Sequence, residues 1–257
     1  MTACPGIPRR WSQGALTLDV SSSDSIKNAV SRLPRLDILV NNAGAEYFMP
    51  ISDVDIPDAK KLFDLNVWSY IEMTQACLPL LLKSSYGGMV VNQTSVGSVV
   101  VLPLQGIYTA SKAAMAMAKV SDILRLELGA LGVTVVDLKT GFVRSNLVQN
   151  HTNAHSLELP TDSIYGPARE MAEKALNPTG FGGGMPTMDW ATAVVGDLLK
   201  KPPMSIWRGE HAWLARLIGM MPQGTVDGML KKMTGFGGGG EDHECLICTD
   251  TTVLFRV

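Results

Sequence analysis

Three features are scarce in this sequence: cysteine, excess charge of one sign, and long apolar segments. Its four cysteines among 257 residues are too few for a disulfide-stabilised scaffold and are typical of a reducing compartment. The 22 basic and 24 acidic side chains nearly balance, so electrostatics give no basis for nucleic-acid binding. The most apolar segment, 89–104, is interrupted by Asn92 and its polar neighbours, and it falls short of the roughly 18 apolar residues of a membrane-spanning helix. The first 14 residues lack the apolar core of a secretory signal, and the sequence therefore predicts a cytoplasmic protein.

What is present is enough apolar sequence for one large core. Hydrophobic residues make up 46% of the chain and charged residues 18%, which is a globular composition. Short apolar segments of strand length alternate with longer segments of helical periodicity. The predicted strands are 15–20, 36–40, 88–92, 133–138 and 205–208, and the predicted helices are 21–33, 58–83, 107–128, 189–200 and 212–221. Because such apolar strands are buried on both sides, we expect a doubly wound α/β fold with a mostly parallel sheet.

The regular pattern ends after residue 145. The segment 146–188 contains four prolines and a cluster of glycines, and a long irregular segment of this kind is usually a binding loop or lid. The glycine-rich segment 235–257 is predicted to be a flexible tail, and residues 1–14 form an atypical N-terminal stretch. The sequence thus predicts a single domain, residues 15–234, with a substrate lid at about 146–188.

Two alternative chemistries are disfavoured by the sequence. His243, Cys245 and Cys248 could supply three zinc ligands, but a structural zinc site needs four, so we expect a thiol-bearing tail and no metal. Ser95 lacks the Gly-x-Ser-x-Gly turn that exposes a hydrolase nucleophile. Neither a zinc site nor a serine hydrolase is therefore predicted.

A tyrosine and a lysine on one predicted helix suggest acid–base chemistry. Tyr108 and Lys112 are four residues apart, so their side chains share a helix face. A nearby ammonium lowers the pKa of a tyrosine from its ordinary value of about 10. Ser95 lies at the carboxyl end of a predicted parallel strand, where such sheets bind ligands. The pair by itself is better explained by a solvated lysine beside a surface tyrosine.

The order of several motifs makes the active-site interpretation stronger. Asn41-Asn42-Ala43-Gly44 after a strand, then Asn66, then Ser95, then Tyr108-Thr-Ala-Ser-Lys112 resembles the short-chain dehydrogenase/reductase family, from about Asp19 to Arg208. The resemblance implies a Rossmann-like fold and hydride transfer between NAD or NADP, with NADP favoured, and a carbonyl or alcohol. It implies that Tyr108 exchanges the proton, Ser95 orients the substrate oxygen, Lys112 lowers the tyrosine pKa and holds the nicotinamide ribose, and Asn66 anchors a water of a proton relay.

The resemblance also implies a cofactor-binding set. The residues that match it are Asp19, Val20, Asn42, Ala43, Gly44, Asn66, Tyr108, Lys112, Gly141, Val143 and Ser145. Thr140 stands where many members of the family have proline. The segment 207–230 resembles, more loosely, the fungal branch that includes enzymes similar to 1-acyldihydroxyacetone-phosphate reductase.

One departure from the family is at the N-terminal end. The family begins with a strand and a Thr-Gly-x-x-x-Gly-x-Gly turn whose amides bind the pyrophosphate, and no such turn precedes Asp19. The glycines of 235–240 follow a predicted helix instead of a strand, so they do not replace it. We therefore expect an N-terminally truncated fold in which the strand 36–40 is an exposed edge. An incomplete start and a degenerate family member both remain open.

These features predict an oxidoreductase that interconverts a secondary alcohol and a ketone on a hydrophobic small molecule, in fungal secondary-metabolite biosynthesis. Methionines in and after the lid suit an adaptable apolar site. Two alternatives stay open: a non-catalytic remnant that binds ligands or partners, and a lipid enzyme similar to acyl-dihydroxyacetone-phosphate reductase. The apolar helix 213–221 leaves peripheral membrane contact as a lesser alternative, and the resemblance implies a homo-oligomer.

Overall fold

A four-stranded parallel sheet forms the centre of the protein. The computed structural model describes residues 15–116, 120–154, 158–176, 183–222 and 224–233. The strands are β1 (Ile38–Asn41), β2 (Met89–Ser95), β3 (Thr134–Thr140) and β4 (Ser205–Arg208), in the spatial order β1-β2-β3-β4. Every neighbouring pair is parallel, so the carboxyl ends of all four strands lie at one edge. This arrangement confirms the predicted α/β architecture.

Helices connect the strands and cover the sheet. In the described residues they are α1 (Ser23–Ser31), α2 (Ile56–Phe63), α3 (Ser69–Leu81), α4 (Gly106–Ala116), α5 (Val120–Gly129), α6 (Leu147–Ala154), α7 (Arg169–Leu176), α8 (Thr187–Leu198), α9 (Ala212–Ile218) and α10 (Asp227–Met233). One face of the sheet packs against α1, α3 and α5 through a cluster that includes Leu39, Val90 and Val135. The opposite face packs against α8 through Val136 and Leu138. The sheet is therefore covered on both sides, as a doubly wound fold requires.

The predicted helix 58–83 is two helices joined by a wide turn. A π turn, Asp64–Trp68, separates α2 from α3, and within it the amide of Ser69 donates to the carbonyl of Asp64. Turns of this kind occur mostly inside α-helices at functional sites. The apolar periodicity of the sequence continues through the turn, which is why it reads as one helix.

The predicted strand 15–20 is wrong. This segment is irregular, and Leu16 and Leu18 are more than a third exposed. A strand needs a neighbour to accept its backbone hydrogen bonds, and β1 pairs only with β2 among the described residues. The segment instead leads into α1, which Ser22 caps by accepting from the amide of Ser25.

β1 is an edge strand, as the sequence predicts. Val40, on the face opposite the α3 side, remains 47% exposed. On the covered face Asn41 donates to Asn92 across the sheet at 2.9 Å, and Asn92 donates to Ser121 of α5 at 3.0 Å. The edge is thus held by buried amide hydrogen bonds near its carboxyl end.

Several predicted segments lie wholly or partly outside the residues that the structure describes. Residues 1–14 and the tail 235–257 lie outside the described residues, and the lid 146–188 is described only in part, with α6 and α7 in it. The division of the chain at these boundaries stays a prediction. Within the described ranges, no helix is both long and apolar enough to cross a bilayer.

Candidate active site

The segments that follow β1, β2 and β3 bring most of the predicted site residues to one edge of the sheet. Ser95 ends β2 and is the register partner of Thr140, which ends β3. β1 ends at Asn41, so the segment 42–46 leaves the sheet on the same side. Helix α4, with Tyr108 and Lys112, packs against β2 and the turn after it. The site is therefore a product of the parallel topology.

The side chains of Ser95 and Tyr108 lie close together, so that Ser95 lowers the pKa of Tyr108 by hydrogen bonding. Both residues are buried, at 8% and 7% exposure, and both lie against Gly97, where a Cβ would be 3.3 Å from Ser95 Oγ and 3.6 Å from Tyr108 Cε1. Burial raises the pKa of Tyr108 above its ordinary value, the charge of Glu46 raises it further, and the Ser95 hydrogen bond lowers it. In this structure Tyr108 is therefore a protonated acid beside a hydroxyl that can orient a substrate oxygen.

Lys112 lies one helical turn after Tyr108 and is 6% exposed. Its Nζ donates to the carbonyl of Gln93 at 3.2 Å and lies 5.4 Å from the ring centroid of Tyr70. Burial lowers the pKa of Lys112 to about 8, and the charge of Glu46 acts in the opposite direction. The ammonium has three donors, so donors remain for a ligand.

Asn66 holds the segment after β1 from inside the π turn. Its Oδ1 accepts from the amide of Ala45 and its Nδ2 donates to the carbonyl of Ala45, both at 3.0 Å. The same Nδ2 donates to Ser111 Oγ at 2.9 Å. Asn66 has no exposed surface, so its side chain joins the end of β1 to α4. Its predicted role in a water relay stays a prediction.

Gly44 lets the backbone come close to the lysine. A Cβ at this position would lie 3.1 Å from Asn66 Oδ1 and 3.3 Å from Lys112 Nζ. Asn42 is exposed, and Ala43 and Gly44 are half-buried. Gly44, one of the predicted cofactor residues of this segment, is therefore adjacent to Lys112.

The segment after β3 is tightly fixed. A Cβ at Gly141 would overlap the carbonyl oxygen of Glu210, and the amide of Gly141 donates to the carbonyl of Arg208 at 2.8 Å. Val143 bridges to Met185, and Ser145 is exposed just before α6. Thr140 Oγ1 is buried and has no hydrogen-bond partner among the described residues, so it is available to a ligand.

Asp19 and Val20 are not joined to these groups by any described contact. Asp19 is exposed, accepts from the amide of Ser21 and donates its own amide to Ser25. Val20 borders a cavity of about 490 Å³ between the start of α1 and the α2–α3 region. Leu65, the neighbour of Asn66, lines the same cavity. Val20 and the Asn66 region therefore border one common space.

Sequence reasoning missed Glu46 and Tyr70. Glu46 lies two residues after Gly44, and its carboxylate interacts with the charge of Lys112. Burial raises the pKa of Glu46 to about 7, against the lowering effect of Lys112. One signal was present, because Glu46 is the only charged residue in the segment 43–51. No sequence signal marked Tyr70, which reads as an ordinary core residue of α3.

No cluster of three or more histidine, cysteine, aspartate or glutamate side chains suited to a metal occurs in the described part of the chain. The thiol-bearing tail around Cys245, for which the sequence predicts no metal, lies outside the described residues. The chemistry available at the site is therefore that of hydroxyl, phenol, ammonium and carboxyl groups.

Comparisons with known proteins give the family. The family profile described as short chain dehydrogenase matches residues 10–156. A short-chain dehydrogenase/reductase of Pestalotiopsis microspora is 48% identical over 222 residues, which cover 86% of this chain and 76% of that protein. The NADPH-dependent 1-acyldihydroxyacetone phosphate reductase of Schizosaccharomyces pombe is 31% identical over 224 residues, which cover 80% of this chain and 74% of that protein.

A solved structure agrees with the sequence comparisons. A short-chain dehydrogenase from Streptomyces avermitilis superposes with a TM-score of 0.62 at 25% identity, covering 88% of this chain and 80% of that one. The family profile match spans β2, which ends at Ser95, and α4, which carries Tyr108 and Lys112. This chain therefore belongs to the short-chain dehydrogenase family, whose members are oxidoreductases that act on CH–OH groups.

Proposed function

We propose that this protein is an NAD(P)-dependent oxidoreductase that interconverts a ketone and a secondary alcohol at the Ser95–Tyr108–Lys112 site. The observation that carries the proposal is the buried contact between Ser95 and Tyr108 with the Lys112 ammonium one helical turn away. A protonated phenol beside a second hydroxyl can hold a carbonyl oxygen and transfer a proton to it. The task needs both hydroxyls side by side, so that one carbonyl oxygen can accept from the two of them.

In ketone reduction the residues have distinct tasks. The hydroxyls of Ser95 and Tyr108 bind the carbonyl oxygen, and Tyr108 donates its proton to that oxygen. The chemistry that NAD(P)H would supply when bound is a hydride for the carbonyl carbon, so that a ketone, NAD(P)H and a proton would become an alcohol and NAD(P)⁺. Lys112 stabilises the phenolate that remains on Tyr108, since a positive charge near a phenolate favours the charged form.

The residues on the nicotinamide side fit this cofactor. The close approach of Gly44 to Lys112 leaves backbone instead of a side chain beside the ammonium, and the buried Thr140 hydroxyl has an unused donor next to Gly141. We assign Lys112, Gly141, Val143 and Ser145 to that side. We assign Asn42, Ala43 and Gly44 to the turn that flanks the adenosine ribose, and Asp19 and Val20 to the adenine side. The name of the Schizosaccharomyces pombe relative specifies NADPH, which makes NADPH the first cofactor to test.

The proposed substrate is a hydrophobic ketone of fungal secondary metabolism. Met188, Met204 and Met220 expose 74%, 62% and 69% of their surface in and after the lid region, and methionine suits adaptable apolar binding surfaces. We also propose a homo-oligomer, because Trp68 of the π turn and Ile123 and Leu126 of α5 are exposed. Sedimentation velocity tests the second proposal, and a monomer at all concentrations would contradict it.

The decisive experiment is a titration followed by turnover. NADPH and NADH are added to the purified protein while nicotinamide fluorescence is recorded, and saturable binding of either is expected. A panel of aliphatic, aromatic and polycyclic ketones is then tested with the cofactor that binds. Tyr108→Phe is expected to bind cofactor within about threefold of the parent and to lose turnover by at least about 100-fold, the usual contribution of acid–base catalysis. Turnover of Tyr108→Phe close to that of the parent would refute the assignment.

A further inference from the structure

The segment 45–49, directly after β1, is fixed at three points. The side chain of Asn66 holds both backbone groups of Ala45 at 3.0 Å. The amide of Asp55 donates to the hydroxyl of Tyr47 at 3.1 Å, and the amide of Met49 donates to the carbonyl of Leu104 at 2.8 Å. The backbone of Glu46 therefore has little freedom to move away from the site.

Glu46 lies among apolar neighbours and beside the reacting groups. Tyr47 and Phe48 are both 5% exposed, and Glu46 itself is half-buried. A Cβ at Gly44, two residues before Glu46, would lie 3.3 Å from Lys112 Nζ, and Oε2 of Glu46 is fully buried. The charges of Glu46, Lys112 and Tyr108 therefore interact across this small region. From α3, Tyr70 interacts in turn with Tyr108. A negative charge here favours the ammonium of Lys112 and opposes the phenolate of Tyr108.

We propose that Glu46 is a positioning residue that holds Lys112 as an ammonium and Tyr108 as a phenol, the pair of states that ketone reduction requires. The proposal rests on the proposed function, because it concerns the same site and its preferred direction. Burial alone works against the ammonium, as the lowered pKa of Lys112 at about 8 shows. Above about pH 7, where Glu46 is ionised, the site begins each cycle ready to give a proton, which favours reduction over alcohol oxidation.

Lysine NMR tests the charge coupling without substrate or cofactor. The ¹³Cε signal of Lys112, assigned by its disappearance in Lys112→Arg, is followed against pH in the full chain. In Glu46→Gln its midpoint is expected to fall by about one pH unit, since a close carboxylate stabilises an ammonium by that amount or more. Glu46→Asp, which keeps the charge, should restore most of the shift, and Glu127→Gln on the exposed face of α5 is the matched control. An unchanged Lys112 midpoint in folded Glu46→Gln overturns the proposal.

The reciprocal measurement does not depend on that variant. The ¹³Cδ midpoint of Glu46 is followed in the parent and in Lys112→Met, where loss of the positive charge should raise it. Identical Glu46 midpoints in the two proteins overturn the proposal as well.

Turnover tests the functional consequence. With NADPH and a ketone substrate, the alkaline limb of kcat/KM in Glu46→Gln should move to lower pH by about the same unit as the Lys112 midpoint, and Glu46→Asp should reverse the change. A uniform loss of activity with no shift of the limb indicates a merely structural role and overturns the proposal. Failure of the parent to reduce any ketone refutes the proposed function instead, while the two NMR midpoints still decide whether Glu46 controls Lys112.

Discussion

The ammonium of Lys112 lies 5.4 Å from the ring centroid of Tyr70, and the two side chains share one acceptor. The Tyr70 hydroxyl donates to the carbonyl of Gln93 at 3.1 Å, and Lys112 Nζ donates to the same oxygen at 3.2 Å. Tyr70 is 2% exposed, and burial raises its pKa, so it remains a neutral donor. The Lys112 side chain is thus oriented by an aromatic face and a strand carbonyl.

Separate variants of Tyr70 should distinguish the ring from the hydroxyl. Tyr70→Phe keeps the ring, so NADPH affinity should stay within about threefold of the parent. The free energy of unfolding in urea should fall by about 1 kcal/mol because one hydrogen bond is lost. Tyr70→Leu removes the cation–π contact, and NADPH binding should weaken roughly fivefold, equivalent to about 1 kcal/mol. Equal weakening of NADPH binding in both variants would assign the effect to the hydroxyl instead.

The pH dependence of stability should show the burial of Glu46. Because its pKa is raised from 4.5 to about 7 in the folded state, the folded protein binds this proton more tightly than the unfolded chain does. The resulting stability is present below about pH 4.5 and is lost as the pH rises to about 7.

Urea denaturation at pH 5 and pH 7.5 measures this effect. The fall in unfolding free energy between the two pH values should be larger in the parent than in Glu46→Gln, by up to about 2 kcal/mol. The comparison cancels the titrating groups that do not interact with Glu46. Equal falls in the two proteins would show that the Glu46 carboxyl is solvated.

Gly141 should tolerate no side chain. A Cβ there would overlap the Glu210 carbonyl and lie 3.2 Å from the amide of Ala212, and both of these are backbone atoms that cannot turn aside. Gly141→Ala should lower the unfolding free energy by about 1–3 kcal/mol through overpacking. Gly129→Ala at the end of α5 is the control, because nothing lies within 4 Å of its added Cβ. Equal stability of the two variants in urea would contradict the close approach.

A buried ion pair in β3 should be sensitive to the loss of one partner. Asp137 and Lys139 are 8% and 6% exposed and form an ion pair, and Thr94 also donates to Asp137. Lys139→Met or Asp137→Asn should each cost about 3–5 kcal/mol of unfolding free energy, since each leaves a buried charge uncompensated. The double variant should cost less than the sum. The exposed pair of Lys61 and Asp58 provides the control, and Lys61→Met should not measurably change the free energy of unfolding. If the costs of the two β3 substitutions added strictly in the double variant, the result would argue against the ion pair.

The parts of the site that follow from chain geometry were predictable. Tyr108 and Lys112 share a helix face because of the helical repeat, and Ser95 reaches the ligand edge because it ends a parallel strand. These relations need only local periodicity and topology, so the sequence predicts them.

The parts that depend on packing were not predictable. The alternation of Leu16, Leu18 and Val20 is typical of a strand, yet a strand also needs a partner that no local pattern can supply. Lys139 would normally argue against a buried strand, and only its pairing with Asp137 makes the position acceptable. The effects of Glu46 on Lys112 arise between residues 66 positions apart, and their signs depend on burial that the sequence does not reveal.

The π turn at Asp64–Trp68 sets the angular phase between α2 and α3. Each residue of an α-helix advances the side-chain direction by about 100°, so the extra residue lets α2 and α3 present their apolar sides independently while Asn66 faces the segment after β1. A deletion of one residue in this turn would therefore act as a rotation and not as a shortening. With α3 held on the sheet, it would turn α2 away from its contacts with α4.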